Sequence, residues 1–179
     1  TFTNAWFDVA GDPAGVPHPP VESIPRLLAR ARDLPDADLA LLDAVANRVA
    51  TLEGACSPDD PRVLVHADLG WDNLLVEDGR LVAVLGWEWC RLGRAEQELD
   101  TIVRNCAWPW LAVAEDEERL CQPEDYQDIP YWMQEARPDL FEYDNLVARL
   151  ELHGVAHDLQ QALSTPPNHV PDGNPINPI

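Results

Sequence analysis

Apolar residues recur along the chain with two different periods, which separate helical from extended segments. Leu39, Leu42, Val45 and Val49 lie about one helical turn apart, and a similar stripe runs from Leu146 to Leu163. This spacing predicts two amphipathic helices. Val63–Val65 and Leu81–Leu85 are short apolar runs instead, of the length and composition of buried strands. The pattern predicts a mainly α protein with a small β-hairpin element, of the α+β class.

The β element is predicted to surround a polar loop at residues 66–73. Leu74–Val76 restarts extended structure, Asp78-Gly79 supplies a turn, and the run to Leu85 returns. We also expect residues 63–66 and 81–85 to be paired strands that flank the loop.

Proline is frequent near both ends of the chain. Residues 1–22 are predicted to be a loop or linker outside the core, and residues 164–179 an irregular Pro-rich tail. Residues 23–163 are then expected to form one compact lobe, which is within the usual size of a single domain. No internal repeat is visible.

Charge and cysteine content narrow the function classes. The formal net charge is −20, and all 12 basic residues are Arg. Such a chain lacks the basic surface that binds nucleic acid or anionic membranes. It suits a cationic ligand, although a solvated acidic surface is the simpler interpretation. The four Cys form no C-x-x-C pair, and no signal peptide or membrane-length apolar run occurs. These features favour a reducing cytoplasm, and the Ala- and Arg-rich, Lys-free composition favours a bacterial source.

The polar loop carries the strongest chemical signal, a His-x-Asp-x-x-x-x-Asn spacing. Phosphoryl transfer needs a carboxylate that orients or deprotonates the acceptor hydroxyl, and an oxygen that holds a metal ion nearby. Asp68 and Asn73 supply these groups. The alternatives are structural: Asp68 caps loop amides, His66 shapes the loop by a backbone hydrogen bond, and Asn73 stabilises the loop through its amide.

Together with Trp87-Glu88-Trp89, this loop resembles the catalytic loop of the aminoglycoside phosphotransferase family, which is related to protein kinases. The resemblance covers roughly residues 20 to 179 and implies the C-terminal lobe of a kinase-like fold. It implies that Asp68 is catalytic, that His66 and Asn73 are cofactor-binding, and that Asn73 is a metal ligand. The implied cofactors are ATP and magnesium, and the implied substrate is a small, hydroxyl-bearing, cationic molecule.

Several positions depart from the family pattern. Gly86 stands where the family has its second metal-binding Asp, and Ala67 and Gly70 replace the usual Gly and His. Ala67 is a mild change unless that position needs a positive φ. Trp87 and Trp89, two residues apart, are expected on one side of a strand and in the core.

The chain also has no glycine-rich phosphate loop and no lysine, so the N-terminal lobe is expected to be missing from it. These departures predict an impaired phosphotransferase. The main alternative is a non-catalytic pseudoenzyme or binding module, and the weakest is a plain helical interaction domain. The oligomeric state stays open.

Overall fold

The structure is a computed structural model that describes residues 18–107 and 126–164. In it the apolar stripes of the sequence form helices. The helices of this described part are α1 (Ile24–Arg32), α2 (Leu39–Thr51), α3 (Glu96–Ala107), α4 (Ile129–Ala136) and α5 (Leu146–Ser164). The strands are β1 (Val63–Val65), β2 (Leu74–Glu77), β3 (Arg80–Val84) and β4 (Arg91–Gly93). The predicted mainly α fold with a small β element is confirmed. No helix among these residues is long and apolar enough to cross a membrane.

The chain divides into two compact units. The first unit contains residues 1–60 and 147–179, and the second contains residues 61–146. In the described part of the first unit, α1, α2 and α5 supply the apolar core. Its most deeply buried side chains are Ile24, Leu27, Leu42, Ala156 and Leu159. Asp38 is the N-cap of α2, because its Oδ1 accepts a hydrogen bond from the Leu41 amide at 3.0 Å.

The prediction that residues 1–22 form a linker outside the core is wrong for residues 18–22, which the structure describes. Residues 1–17 lie outside the described part, but Pro19 and Val21 are buried, and Val21 belongs to the core of the first unit. A short 3-10 turn, Val21–Ser23, leads directly into α1. Pro19 and Val21 are apolar, and burying them removes their surface from water. The predicted tail begins at Ser164, the last residue of α5, and its other residues lie outside the described part.

A buried ion pair joins α5 to the loop that follows α2. The Arg149 guanidinium donates to the Ala55 carbonyl oxygen at 2.6 Å and to Asp60 Oδ2 at 2.8 Å. Asp60 Oδ2 also accepts from the Ser57 amide at 2.8 Å. Only 4% of the Arg149 side chain is exposed, so its charge depends on these partners.

The strand pairing of the second unit differs from the prediction. β3 pairs with β2, as the Asp78-Gly79 turn indicates, with Leu74 opposite Val84. β1 pairs with β4 instead of residues 81–85, with Val65 opposite Arg91. The expected pairing of residues 63–66 with 81–85 is therefore wrong. β3 already has a partner in β2, which a two-residue turn holds beside it.

The tight turn explains the hairpin geometry. Asp78 and Gly79 have φ values of 51° and 72°, the left-handed conformation that a two-residue hairpin turn requires. The hairpin leaves apolar side chains in contact with solvent, since Leu75, Val76, Leu81 and Val82 are each more than half exposed.

The expected core position of Trp87 and Trp89 is also wrong. Residues 87–89 form a single 3-10 turn, and the two side chains are 45% and 36% exposed. Gly86 precedes the turn with φ 71° and ψ 35°. This left-handed residue ends the extended segment, so the alternation of a strand does not apply after it.

Candidate functional site

The loop of residues 66–73 lies between β1 and β2, and His66 ties its start to the end of β3. His66 is buried, and its Nε2 lies 2.6 Å from the Leu85 carbonyl oxygen. Because a carbonyl oxygen only accepts, His66 Nε2 carries the hydrogen. This contact is the structural role predicted for His66. Its assignment to cofactor binding stays a prediction.

Ala67 adopts a left-handed conformation, with φ 67°. This conformation costs an alanine about 1–2 kcal/mol, a cost that glycine does not carry. The Ala67 amide donates to Glu98 Oε1 of α3 at 2.8 Å, which holds the strained residue in place. Replacement of the usual glycine by Ala67 is therefore not a mild change.

Glu98 is a site residue that the sequence analysis did not identify. The side chain reaches the loop from a helix 31 residues further along the chain, and its second oxygen, Oε2, is buried. The available signal was indirect: a left-handed residue in a buried loop presents an amide that needs an acceptor. The spacing of residues along the sequence does not indicate which acidic residue provides that acceptor.

Asn73 closes the loop at its other end. Its Nδ2 donates to the Asp68 carbonyl oxygen at 2.8 Å, and its own carbonyl oxygen accepts from the Leu85 amide at 2.8 Å. The Asn73 amide in addition donates to the Gly70 carbonyl oxygen at 3.2 Å. These contacts are the kind expected of Asn73 as a loop-stabilising amide, one of its two predicted roles; its assignment to metal and cofactor binding stays a prediction.

The Asp68 carboxyl group is partly buried inside this frame, and its pKa is raised above the ordinary value of an aspartate. Burial is the largest cause, and the negative charges of Asp72 and Glu88 raise the pKa further. His66 and the hydrogen bond from Asn73 act in the opposite direction. A pKa shifted upward brings a carboxylate closer to the operating pH of a general base.

Trp87 borders the loop on the side of His66. The two rings meet edge to face, with centroids 4.8 Å apart and planes at 62°. Trp87 Nε1 donates to the Val84 carbonyl oxygen at 2.7 Å, which fixes the indole at the end of β3. Glu88 follows on the same turn with an exposed side chain, so it acts on Asp68 through its charge.

Gly86 lies against the side chain of Asn73. A Cβ atom built at Gly86 would stand 2.5 Å from Asn73 Oδ1, closer than real Cβ atoms approach other heavy atoms. The place from which the family's second metal-binding carboxylate would extend is thus taken by the Asn73 amide.

The ligands present do not fit the magnesium ion that the family resemblance implies. Magnesium prefers hard oxygen ligands in octahedral geometry, usually including a carboxylate. Gly86 contributes none, and Asn73 offers one neutral amide oxygen. In the described part of the second unit, no three His, Cys, Asp or Glu side chains bring ligand atoms close enough to share an ion.

The structure thus brings His66, Asp68 and Asn73 together on one loop, as the sequence spacing predicts, and places Gly86 against the Asn73 side chain. The loop has a fixed backbone and an acidic side chain of raised pKa, the features that acid–base chemistry on a bound hydroxyl needs.

Comparison with known proteins identifies a family for this chain. Residues 8–135, more than half of the chain, match the phosphotransferase enzyme family. Hygromycin-B 4-O-kinase from Escherichia coli is 41% identical over 59 residues, which make up 32% of this chain and 16% of that kinase. The chain therefore matches only a small part of its relative's length. No solved structure matches it. The family match confirms the resemblance of the catalytic loop: the chain belongs to the phosphotransferase enzyme family.

Proposed function

We propose that the loop of residues 66–73 is the acceptor site of an ATP-dependent phosphotransferase, where Asp68 holds the hydroxyl group of a small molecule. The observation that carries this proposal is the fixed backbone around Asp68. His66 and Glu98 hold the loop just before Asp68 through hydrogen bonds, and the Asn73 side chain donates to the Asp68 carbonyl oxygen. A loop backbone held in this way needs little reorganisation when the substrate arrives.

The chemistry at Asp68 is a proton transfer. As the acceptor oxygen forms its bond to phosphorus and the bond to the leaving group breaks, the hydroxyl proton passes to the Asp68 carboxylate. The raised pKa favours this transfer, because a carboxylate of higher pKa is a stronger base. General-base catalysis of this kind contributes about 10²–10⁴-fold to a rate.

Charge supports a cationic acceptor. Asp72 and Glu88 add negative charge around Asp68, and the whole chain carries −20. A cluster of one sign attracts a ligand of the other. The matched relative is a kinase of hygromycin B by name, so a small molecule with hydroxyl groups is a suitable class of substrate. The same charge argues against nucleic acid and anionic membranes as partners. A cytoplasmic location rests on the cysteine pattern of the sequence.

A non-catalytic binding module is the second candidate, and Gly86 is the observation that favours it. Without a carboxylate at this position, the site lacks a ligand that phosphoryl transfer in the family requires. We therefore expect this chain to transfer phosphate slowly, while the acceptor still binds at Asp68.

The substitution Asp68→Asn separates these functions. With hygromycin B as the acceptor and labelled ATP as the donor, a catalytic Asp68 predicts a fall in kcat of about 10²–10⁴-fold with little change in KM. Asp139→Asn is the matched control, because Asp139 is an exposed carboxylate in the same unit, paired with Arg137. It should leave both constants unchanged.

Calorimetric titration with hygromycin B completes the test. Binding without transfer would identify the binding module, and transfer that Asp68→Asn abolishes would identify the enzyme. Transfer at the same rate in the Asp68→Asn variant would refute the role of Asp68. Absence of both binding and transfer in the unaltered chain would refute the acceptor site.

The contact of Glu98 predicts a graded effect on the same reaction. Glu98→Gln retains an oxygen that can accept from the Ala67 amide, whereas Glu98→Ala removes it. If Glu98 positions the loop, Glu98→Ala should lower kcat with little change in KM, and Glu98→Gln should restore most of the rate. Equal losses in the two variants would show that the hydrogen bond is not the important contact.

A further inference from the structure

The side chain of Asn73 and the backbone of Gly86 share one small space. A Cβ atom at Gly86 would stand 2.5 Å from Oδ1, 2.8 Å from Cγ and 2.9 Å from Nδ2 of Asn73. The whole carboxamide therefore lies in the way. Moving it would break the hydrogen bond from its Nδ2 to the Asp68 carbonyl oxygen.

This arrangement gives Asn73 a use that does not involve a metal ion. Its side chain bridges to the residue that carries the proposed base, and its backbone bridges to Leu85, the residue before Gly86. These two contacts help to close the loop, beside those of His66 and Ala67. A carboxylate at position 86 and the amide of Asn73 in its present place exclude each other.

We propose that Asn73 clamps the loop in this chain instead of binding a metal ion, so that the loop takes its ligand without a divalent cation. This inference rests on the proposed acceptor site and specifies what that site requires. Glycine at position 86 makes the clamp possible, because it alone leaves room for the amide. The loss of the family's carboxylate and the position of the Asn73 side chain are then one structural change.

The inference separates two roles of Asn73 that differ in their dependence on magnesium. A clamp stabilises the loop whether or not magnesium is present, so Asn73→Ala should weaken the binding of hygromycin B by the same factor in EDTA and in excess magnesium. A metal ligand would matter only when the ion is present. The unaltered chain should bind hygromycin B equally well under both conditions.

A direct titration with Mn²⁺, followed by its paramagnetic resonance signal, gives a readout that needs no acceptor and no turnover. We expect no saturable site that depends on Asn73. Gly86→Asp should create a Mn²⁺ site only as Asn73 is displaced. Gly79→Asp is the matched control, because Gly79 has the same left-handed backbone, with φ 72°, and open space around it. It adds the same carboxylate and should create no site.

Two results would overturn the inference. One is a gain of about tenfold or more in hygromycin B affinity with magnesium that Asn73→Ala removes. The other is saturable Mn²⁺ binding by the unaltered chain that Asn73→Ala abolishes. If hygromycin B binds under neither condition, the acceptor site fails, and the Mn²⁺ titration still decides the role of Asn73.

Discussion

Replacement of Gly86 by alanine should destabilise the fold by more than the same replacement at Gly79. Both residues have a left-handed backbone, with φ of 71° and 72°. An alanine in this conformation costs about 1–2 kcal/mol. No atom lies within 4 Å of a Cβ at Gly79, so this backbone strain is the whole expected effect there.

At Gly86 the new Cβ must also move the Asn73 side chain. Moving it breaks the hydrogen bond to the Asp68 carbonyl oxygen, worth about 1 kcal/mol, and forces an unfavourable rotamer at a further cost of about 1 kcal/mol. We therefore expect a loss of roughly 3–4 kcal/mol for Gly86→Ala, against about 1–2 kcal/mol for Gly79→Ala.

Urea denaturation measures these losses through tryptophan fluorescence, for which the chain has seven reporters. The same pair of variants in an Asn73→Ala background completes a double-mutant cycle. Without the amide, the extra cost at Gly86 should disappear, which gives a coupling energy of about 2 kcal/mol between Gly86 and Asn73. Equal losses at Gly86 and Gly79, or no coupling to Asn73, would refute the steric argument.

Two further predictions concern stability. Burial raises the pKa of Asp68, so its ionised form disfavours the folded state. Asp68→Asn should therefore raise the melting temperature at neutral pH, and the gain should vanish as the pH falls below the ordinary value of an aspartate. Arg137 lowers the pKa of Asp139, so Asp139→Asn should lower the melting temperature at neutral pH. A gain in melting temperature for Asp68→Asn that does not change with pH would contradict this explanation. Arg149→Met should cost about 3–5 kcal/mol in urea denaturation, because it leaves the Asp60 charge without its buried partner. Arg48→Met removes an exposed ion pair and should lower the free energy of unfolding much less. Equal losses for Arg149→Met and Arg48→Met would show that burial is not the cause.

The sequence predicts those features that depend on neighbouring residues. The α2 stripe and the Asp78-Gly79 turn are local patterns, and each forms as expected. The spacing of Asp68 and Asn73 also places both on one loop. In each case the interacting groups lie within one element or one loop, so the order of residues determines their contact.

The remaining features depend on contacts between distant residues. β1 pairs with β4 across a gap of more than twenty residues, and three-residue strands carry almost no pattern from which to choose a partner. Glu98 reaches Ala67 from a separate helix. The exposure of Trp87 follows from the left-handed backbone of Gly86, which the sequence permits but does not require.

The apolar hairpin of β2 and β3 has a consequence for the behaviour of the protein in solution. Among the residues described its strands pair only with each other, and Leu and Val side chains along them are exposed. An apolar hairpin of this kind is prone to pair with another chain and aggregate. The charge of −20 opposes this aggregation, because repulsion between like-charged molecules keeps the hairpins apart. At about 1 M salt this repulsion is screened within about 3 Å. Colloidal stability should therefore fall as ionic strength rises, well before the fold itself is lost.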